Sequence, residues 1–240
     1  MYSIKKPALN IEGEEDPIGD EAEQKPFRYF EQPATLKIHH FYISDSIGEP
    51  KDYIDMIHKI KFAGSNDIIN IYLNTPGGYL NTGAQIITAI RASNAHVVTH
   101  VEGEVCSLGT LIFLSGDEMV VHDGSLFMIH NHSGHAHGKG HEYLAQAAAQ
   151  SKWFEGIARK AYVGFLTEEE FQDMINGKDF WFDADNVRKR LNRYVKYLSK
   201  QAKEDEAKAE ARAKAKKAKK EESKEEPTEE PDVKKNDDSE

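Results

Sequence analysis

The sequence predicts an α/β fold with a largely parallel β-sheet. Segments rich in β-branched and aromatic residues alternate along the chain with segments whose apolar residues recur at helical spacing. Glycine-containing joints, at residues 74–78 and 103–109, follow two of the β-rich segments. Strands that alternate with helices favour a parallel sheet covered by those helices.

The first half of the chain begins this alternation. Strands are predicted over residues 36–43, 68–74 and 96–101, where β-formers dominate. Residues 53–63 carry apolar side chains at positions 53, 54, 57 and 60, which is helical spacing. A Pro-Gly-Gly turn then opens a helix that extends to about residue 92, and residues 107–115 form a short buried helix.

The second half continues with two strands, a long helix and further helical segments. The two strands lie in residues 118–130 on either side of an Asp-Gly turn, and the long helix covers residues 141–162. Thr167 and Glu170 have the spacing of a capping box, which predicts a helix start. Residues 180–182 read as a short strand, after which Asp183 can cap a last helix.

Composition divides the chain into three parts. Residues 1–34 are acidic and rich in turn formers, and we interpret them as a loosely ordered arm. Residues 35–198 form a single domain able to bury about 70% of its unfolded surface. Residues 199–240 contain one large aliphatic residue, Val233, and no aromatic residue, so we expect a charged tail that is helical and then disordered beyond Pro227.

Charge and residue usage exclude several classes of protein. A formal net charge of −10 argues against a nucleic-acid-binding protein. No segment has the 18 or more apolar residues of a membrane helix, and the first residues lack the pattern of a signal peptide. The single cysteine, Cys106, agrees with a reducing compartment. We therefore expect a cytoplasmic protein with neither nucleic acid nor a membrane as partner.

Ser107 lies at the second glycine-containing joint and has two possible roles. A serine between a strand and a helix is commonly a helix cap. Alternatively, the backbone N–H groups of Gly78 and Leu108 could hold the oxyanion of a tetrahedral intermediate beside the Ser107 hydroxyl. The residues at this joint alone leave both roles open.

Four separated motifs together resemble the proteolytic subunit of the Clp protease, a family of serine peptidases in the crotonase-like superfamily. They are NTPGGYLNTGAQI, GEVCSLGT, FMIHNHSG and GKDFWFDADN, and the resemblance spans residues 35 to about 187. It implies a fold of repeated ββα units with a protruding handle helix and strand. By residue-by-residue match, Ser107 is the nucleophile, His130 the general base and Asp179 its orienting acid, with Gly78 and Leu108 as oxyanion-hole donors.

The chain departs from the family pattern at several positions. Asp173, Asp183 and Asp185 lie near Asp179 and are alternatives for the acid. Cys106 replaces an alanine before the serine, but strand alternation would direct it away from the site. Histidines follow His130 where the family has Gln-Pro, which suggests either a metal site or a glycine- and histidine-rich handle strand; we favour the strand. The Tyr-Gly-Leu-Asp signature that usually closes the family domain is missing.

The resemblance implies a serine endopeptidase that acts through an acyl-enzyme and needs no metal or organic cofactor. It further implies stacked homo-oligomeric rings that receive protein substrates from an ATP-driven unfoldase. An alternative of the same fold is a phage or prophage head-maturation protease that cleaves scaffold and capsid proteins, which the charged terminal segments would suit. An inactive ring-forming regulatory paralogue is a further alternative, as are an acyl-CoA enzyme of the same superfold and a Ser-Lys peptidase. The presence of all three triad residues disfavours the last three.

Overall fold

A computed structural model describes residues 2–5 and 36–222 of the chain. The chain divides into two compact units, Met1–Leu198 and Ser199–Glu240. The first contains a mixed sheet and its helices, and the described part of the second is helical. The predictions of a loose arm and of a disordered end beyond Pro227 concern mainly residues outside the described ones.

Seven strands and six helices make up the described residues. The strands are β1 Tyr2–Lys5, β2 Ile38–Ile43, β3 Ile68–Thr75, β4 His96–Cys106, β5 Glu118–Val121, β6 Leu126–Ile129 and β7 Phe180–Asp183. The helices are α1 Ile54–Lys61, α2 Leu80–Arg91, α3 Leu108–Phe113, α4 Gly140–Tyr162, α5 Glu168–Ile175 and α6 Ala184–Glu222, and a short 3₁₀ helix, Pro50–Tyr53, precedes α1. Except for β1 and the 3₁₀ helix, each of these elements overlaps a segment predicted from the sequence, although β4 extends five residues beyond the predicted strand 96–101.

The sheet is largely parallel, which confirms the predicted fold class. Its main order is β1-β5-β4-β3-β2, and β6 and β7 extend it from the end of β4. The long strand β4 pairs in parallel with β5 through Val98–Val101 and with β6 through Glu104–Cys106. Only β1 with β5 and β6 with β7 are antiparallel pairs among the described strands. The carboxyl ends of β4 and β6 therefore meet at one edge.

Alternation of side chains places the core on one face of this sheet. In β3, Ile69, Ile71 and Leu73 are fully buried, whereas the residues between them are half-buried. They belong to the same apolar cluster as buried residues of α2 and α3, which cover this face. Burial of one face thus specifies the register of β3.

Two helix starts predicted from the sequence are confirmed. The Thr167 hydroxyl accepts the Glu170 N–H at 3.1 Å, and the Glu170 carboxylate accepts the Thr167 N–H at 2.8 Å. Asp183 accepts the backbone N–H of Asn186 at 2.8 Å at the start of α6. Each motif satisfies N–H groups that the first helical turn leaves without a partner.

The helix of the expected handle is α4. The segment that leads into it, residues 130–139, has no regular secondary structure, so the handle strand expected there is not formed. No described helix is both long enough and apolar enough to span a membrane.

Candidate active site

Ser107 occupies a sharp turn between β4 and α3. Its backbone has φ 52° and ψ −123°, and it is the only residue other than glycine with positive φ among the described residues. Its side chain makes no capping hydrogen bond, although the residue stands at the start of α3. A strained strand-to-helix turn that leaves a serine hydroxyl free is the arrangement found at nucleophile elbows.

The Pro-Gly-Gly turn lies directly against this serine. A Cβ atom added to Gly77 would lie 2.7 Å from the Ser107 Cβ and 3.0 Å from the Leu108 nitrogen, and Gly77 has φ +101°. Both the close approach and the backbone angle require glycine. The two glycine-containing joints, separated by 30 residues in the sequence, therefore form one site.

Two backbone N–H groups near Ser107 have no hydrogen-bond partner among the described residues. Gly78 forms a parallel bridge with Ile47, in which the Ile47 N–H donates to the Gly77 carbonyl at 2.7 Å and the Tyr79 N–H donates to the Ile47 carbonyl at 2.8 Å. The N–H of Gly78 itself therefore points away from Ile47. The second free group is the Leu108 N–H, in the first turn of α3. A backbone N–H without a partner can donate to the oxyanion of a tetrahedral intermediate.

His130 follows the last residue of β6, at the same edge of the sheet as Ser107. The Ser107 N–H donates to the Met128 carbonyl at 2.8 Å, which continues the parallel pairing of β4 with β6. His130 is half-buried, and its ring makes no hydrogen bond to a described residue. Ser107 and His130 therefore follow the ends of two paired strands, and no hydrogen bond joins their side chains in this structure.

Asp179 precedes β7, which pairs with β6 in antiparallel fashion. The register sets Ile129 opposite Phe180, so its continuation by one residue sets His130 opposite Asp179. Directly opposite residues of an antiparallel pair present their side chains on the same face. Asp179 is exposed and unpaired among the described residues, so the expected contact with His130 is not formed here. Catalytic hydrogen bonds are often long without substrate.

The other three aspartates near Asp179 are engaged elsewhere. The Asp173 carboxylate pairs with the Lys178 ammonium at 2.9 Å. The Asp183 carboxylate caps α6, and that of Asp185 accepts from Arg188 at 3.0 Å. Asp179 is therefore the one aspartate among these four that has a register position opposite His130 and a carboxylate without another partner.

Comparison with known proteins identifies the family of this chain. A model of the Clp protease family matches residues 47–189. The chain belongs to the Clp protease family. Membership of this family supports a peptidase role. The matched range contains Ser107, His130 and Asp179.

Several relatives carry Clp names. Over 160 residues the chain is 27% identical to ATP-dependent Clp protease proteolytic subunit 2 of Pseudomonas aeruginosa, which covers 64% of this chain and 78% of the relative. Subunit 2 of Chlamydia pneumoniae is 35% identical over 82 residues, 33% of this chain and 40% of the relative. Subunit 3 of Rhizobium meliloti is 26% identical over 130 residues, 52% of this chain and 66% of the relative.

In this Clp family member, Cys106 is unsuited to act as a nucleophile. The residue is 2% exposed, and its Sγ lies 3.3 Å from the Glu104 carboxylate. Burial, together with that carboxylate, raises the pKa of the thiol to about 12. A thiol with this pKa is protonated at neutral pH, and the thiolate is the reactive form.

The histidine-rich segment of this Clp family member offers no metal ligand set. Among the described residues, no group of three or more His, Cys, Asp or Glu side chains could hold a metal ion. His132 instead contacts Asn131 through Nδ1 at 3.0 Å and Ser151 through Nε2 at 3.4 Å, and its ring lies 5.0 Å from that of Phe154. Its contacts are those of a residue that joins the segment to α4.

Sequence reasoning missed two threonines that support the site. The Thr75 hydroxyl accepts the Gly77 N–H at 3.1 Å and donates to the Asp45 carbonyl at 2.7 Å. The Thr110 hydroxyl donates to the Ser107 carbonyl at 2.6 Å. Both threonines are buried, and each lies within three residues of a motif glycine or serine, which is the one local signal that could have drawn attention to them.

Proposed function

We propose that this chain is a serine endopeptidase in which Ser107 is the nucleophile, His130 the general base and Asp179 the residue that orients His130. The observation that carries the proposal is the strained turn at Ser107. Its hydroxyl is not used as a cap, and the free N–H groups of Gly78 and Leu108 belong to the segments that meet there. Membership of the Clp protease family supports it.

In the first half of the reaction, His130 takes the proton of the Ser107 hydroxyl as its oxygen attacks the carbonyl carbon of the substrate. The electron pair of the carbonyl moves onto its oxygen, which the N–H groups of Gly78 and Leu108 stabilise. The carbon–nitrogen bond then breaks, and the leaving amine receives the proton from His130. The acyl group remains as an ester on Ser107.

In the second half, a water molecule attacks the ester and gives its proton to His130. The second tetrahedral intermediate collapses, the proton returns to the Ser107 oxygen and the acid product leaves. Throughout, the Asp179 carboxylate holds the neutral ring in the tautomer that can accept a proton and stabilises the imidazolium once formed. It does not itself become protonated.

Fluorophosphonate labelling followed by peptide mapping tests these roles. Label is expected on Ser107 of the wild type and is expected to be lost in Ser107→Ala and His130→Ala, with turnover of a fluorogenic peptide falling by about 10⁶ in Ser107→Ala. Cys106→Ala, a change at the preceding residue, should keep both label and activity. Asp179→Asn should slow labelling, whereas Asp173→Asn should not. An unlabelled, assembled wild type would reject the proposal and favour an inactive ring-forming paralogue.

We also propose that the chain acts in the cytoplasm as the proteolytic subunit of a homo-oligomeric ring served by an ATP-driven unfoldase. The relatives are named as ATP-dependent proteolytic subunits. In addition, α4 exposes large apolar side chains, with Tyr143 47% and Leu144 67% exposed, as expected of a surface covered on assembly.

Native mass spectrometry of the wild type and Leu144→Glu tests assembly, since a charge at a covered apolar position should break the ring into smaller species. Lys152→Glu on the same helix is the matched surface control. Short peptides should be cleaved without ATP, whereas a folded substrate should require ATP and an unfoldase. ATP-independent cleavage of a co-purified scaffold or capsid protein would favour head maturation instead.

A further inference from the structure

The side chain of Asn131 joins two segments that lie on either side of the proposed triad. Asn131 follows His130 directly, and its Nδ2 donates to the backbone carbonyl of Ile175 at 2.8 Å. Ile175 is the last residue of α5, 44 residues further along the chain. Three residues then separate it from Asp179.

The bond to Asn131 completes the hydrogen bonding at the end of α5. The last four carbonyls of a helix have no partner within it. Here the carbonyls of Gln172, Asp173 and Met174 accept the N–H groups of residues 176, 178 and 177 at 2.9, 3.0 and 3.0 Å. That of Ile175 accepts the Asn131 side chain. Without it, the carbonyl next to the turn that leads to Asp179 would lose its partner.

His130 and Asp179 are thereby enclosed between two cross-links. On one side is the strand pair Ile129 with Phe180, and on the other is the hydrogen bond from Asn131 to Ile175. His130 is the single residue between Ile129 and Asn131, which form these two links. Removal of the second link would leave His130 and Asp179 at the open end of a short antiparallel pair.

The orientation of the Asn131 amide is set by its other contacts. Its Oδ1 accepts the backbone N–H of His132 at 2.8 Å and faces the His132 Nδ1 at 3.0 Å. The amide therefore accepts on one side and donates on the other. The family pattern has Gln-Pro after the histidine, and a proline at position 132 would have no N–H to donate to Oδ1. The arrangement therefore depends on His132, one of the positions at which this chain departs from the family pattern.

We propose that Asn131 is a positioning residue that holds His130 opposite Asp179. The proposal rests on the proposed function, because it assigns Asn131 a role through those two residues. Asn131 touches no reacting atom. Its loss should lower kcat while the affinity for a peptide is retained, since a displacement of about 1 Å in a catalytic group can cost about 100-fold.

The test compares Asn131→Ala and Asn131→Asp with Asn176→Ala in the full chain. Asp keeps the acceptor for His132 but cannot donate to Ile175, whereas the Asn176 side chain is exposed and makes no hydrogen bond to a described residue. Both Asn131 variants should lose about 10- to 100-fold in kcat for a fluorogenic peptide, with KM within about 3-fold of the wild type. Fluorophosphonate labelling should slow in parallel, and Asn176→Ala should match the wild type.

A double-mutant cycle with Asp179→Ala separates positioning from a general loss of folding. If Asn131 acts through Asp179, then Asn131→Ala should cost less than about 3-fold in the Asp179→Ala background. An equal loss in both backgrounds, a loss that appears in KM or in ring assembly, or unchanged kcat in both Asn131 variants would overturn the proposal. A wild type without label or peptidase activity would instead reject the proposed function and, with it, this role.

Discussion

The hydroxyl of Tyr162 lies 2.6 Å from the hydroxyl of Thr110, and both side chains are fully buried. Because Thr110 donates its one proton to the Ser107 carbonyl, the tyrosine must be the donor to Thr110. Burial raises the pKa of Tyr162 above its ordinary value, so this donor stays protonated. A chain of two hydrogen bonds thus connects the last residue of α4 to the turn at Ser107.

Thr110→Val should remove both bonds while keeping the shape of the side chain. It leaves the Tyr162 hydroxyl buried without an acceptor, which costs about 1–3 kcal/mol in the free energy of unfolding. Peptidase activity should fall by about 10-fold, since the Ser107 carbonyl loses its side-chain donor and keeps only the backbone N–H of Thr110, at 3.0 Å. Thr110→Ser retains the hydroxyl and is the control. Urea denaturation and peptide cleavage measure the two effects, and equal behaviour of Val and Ser would contradict the prediction.

Gly77→Ala should destabilise the protein and abolish most peptidase activity. The added methyl would lie 2.7 Å from the Ser107 Cβ, and φ at this position is +101°. Gly124→Ala is a matched control, because Gly124 has φ +79° but open space around its Cβ position. The control should cost about 1 kcal/mol from backbone strain alone, and Gly77→Ala clearly more. Similar losses in urea denaturation would mean that the close approach to Ser107 is unimportant.

Contacts between residues close in sequence were predictable here, whereas those between distant segments were not. The capping box of Thr167 and Glu170 and the cap at Asp183 follow from patterns within three residues, and the alternation of strands and helices follows from periodicity. The positive φ of Ser107 and the bond from Asn131 to Ile175 depend on partners that burial brings together. Strand β1 was missed because its neighbours are acidic and turn-rich, while its pairing depends on the open edge of β5.

The same distinction applies to the proposed triad. The family resemblance implied Asp179 as the acid that orients His130, and three neighbouring aspartates remained as alternatives. The register of β6 with β7 favours Asp179, and this register cannot be read without knowing which strands pair. The partners of the other three aspartates, in contrast, lie within five residues of them in the sequence.

His100 should make stability fall as the pH is lowered. Its side chain is buried, with Nε2 held 3.0 Å from the Asn70 amide oxygen, and burial, followed by the nearby His122, lowers its pKa to about 4. The unfolded chain, with an ordinary pKa near 6.5, binds the proton more readily, so stability is lost as the pH falls from about 6.5 towards 4. The loss reaches about 3 kcal/mol at pH 4.

Urea denaturation of the wild type and His100→Gln across this pH range checks the effect. Glutamine can still donate to Asn70 but does not titrate, so the variant should show a flatter pH dependence. His135→Gln, at an exposed histidine, should keep the slope of the wild type. Parallel curves for wild type and His100→Gln would exclude His100 as the source of the acid sensitivity.

Glu170→Gln should destabilise the protein at neutral pH by about 2 kcal/mol. The Glu170 carboxylate accepts two hydrogen bonds from the Arg190 guanidinium, at 2.6 and 2.8 Å, and one from the Thr167 N–H. Chiefly the Arg190 bonds lower its pKa to about 2. Because the pKa in the unfolded chain is near 4.5, this stabilisation is complete above that pH and is lost as the pH falls towards 2.

The variant should therefore differ from the wild type in thermal unfolding at pH 7 and much less near pH 2. Glu169→Gln, at the neighbouring exposed carboxylate, controls for the charge change and should have little effect at either pH. A difference between Glu170→Gln and wild type that does not depend on pH would show that the ion pair with Arg190 is not its cause.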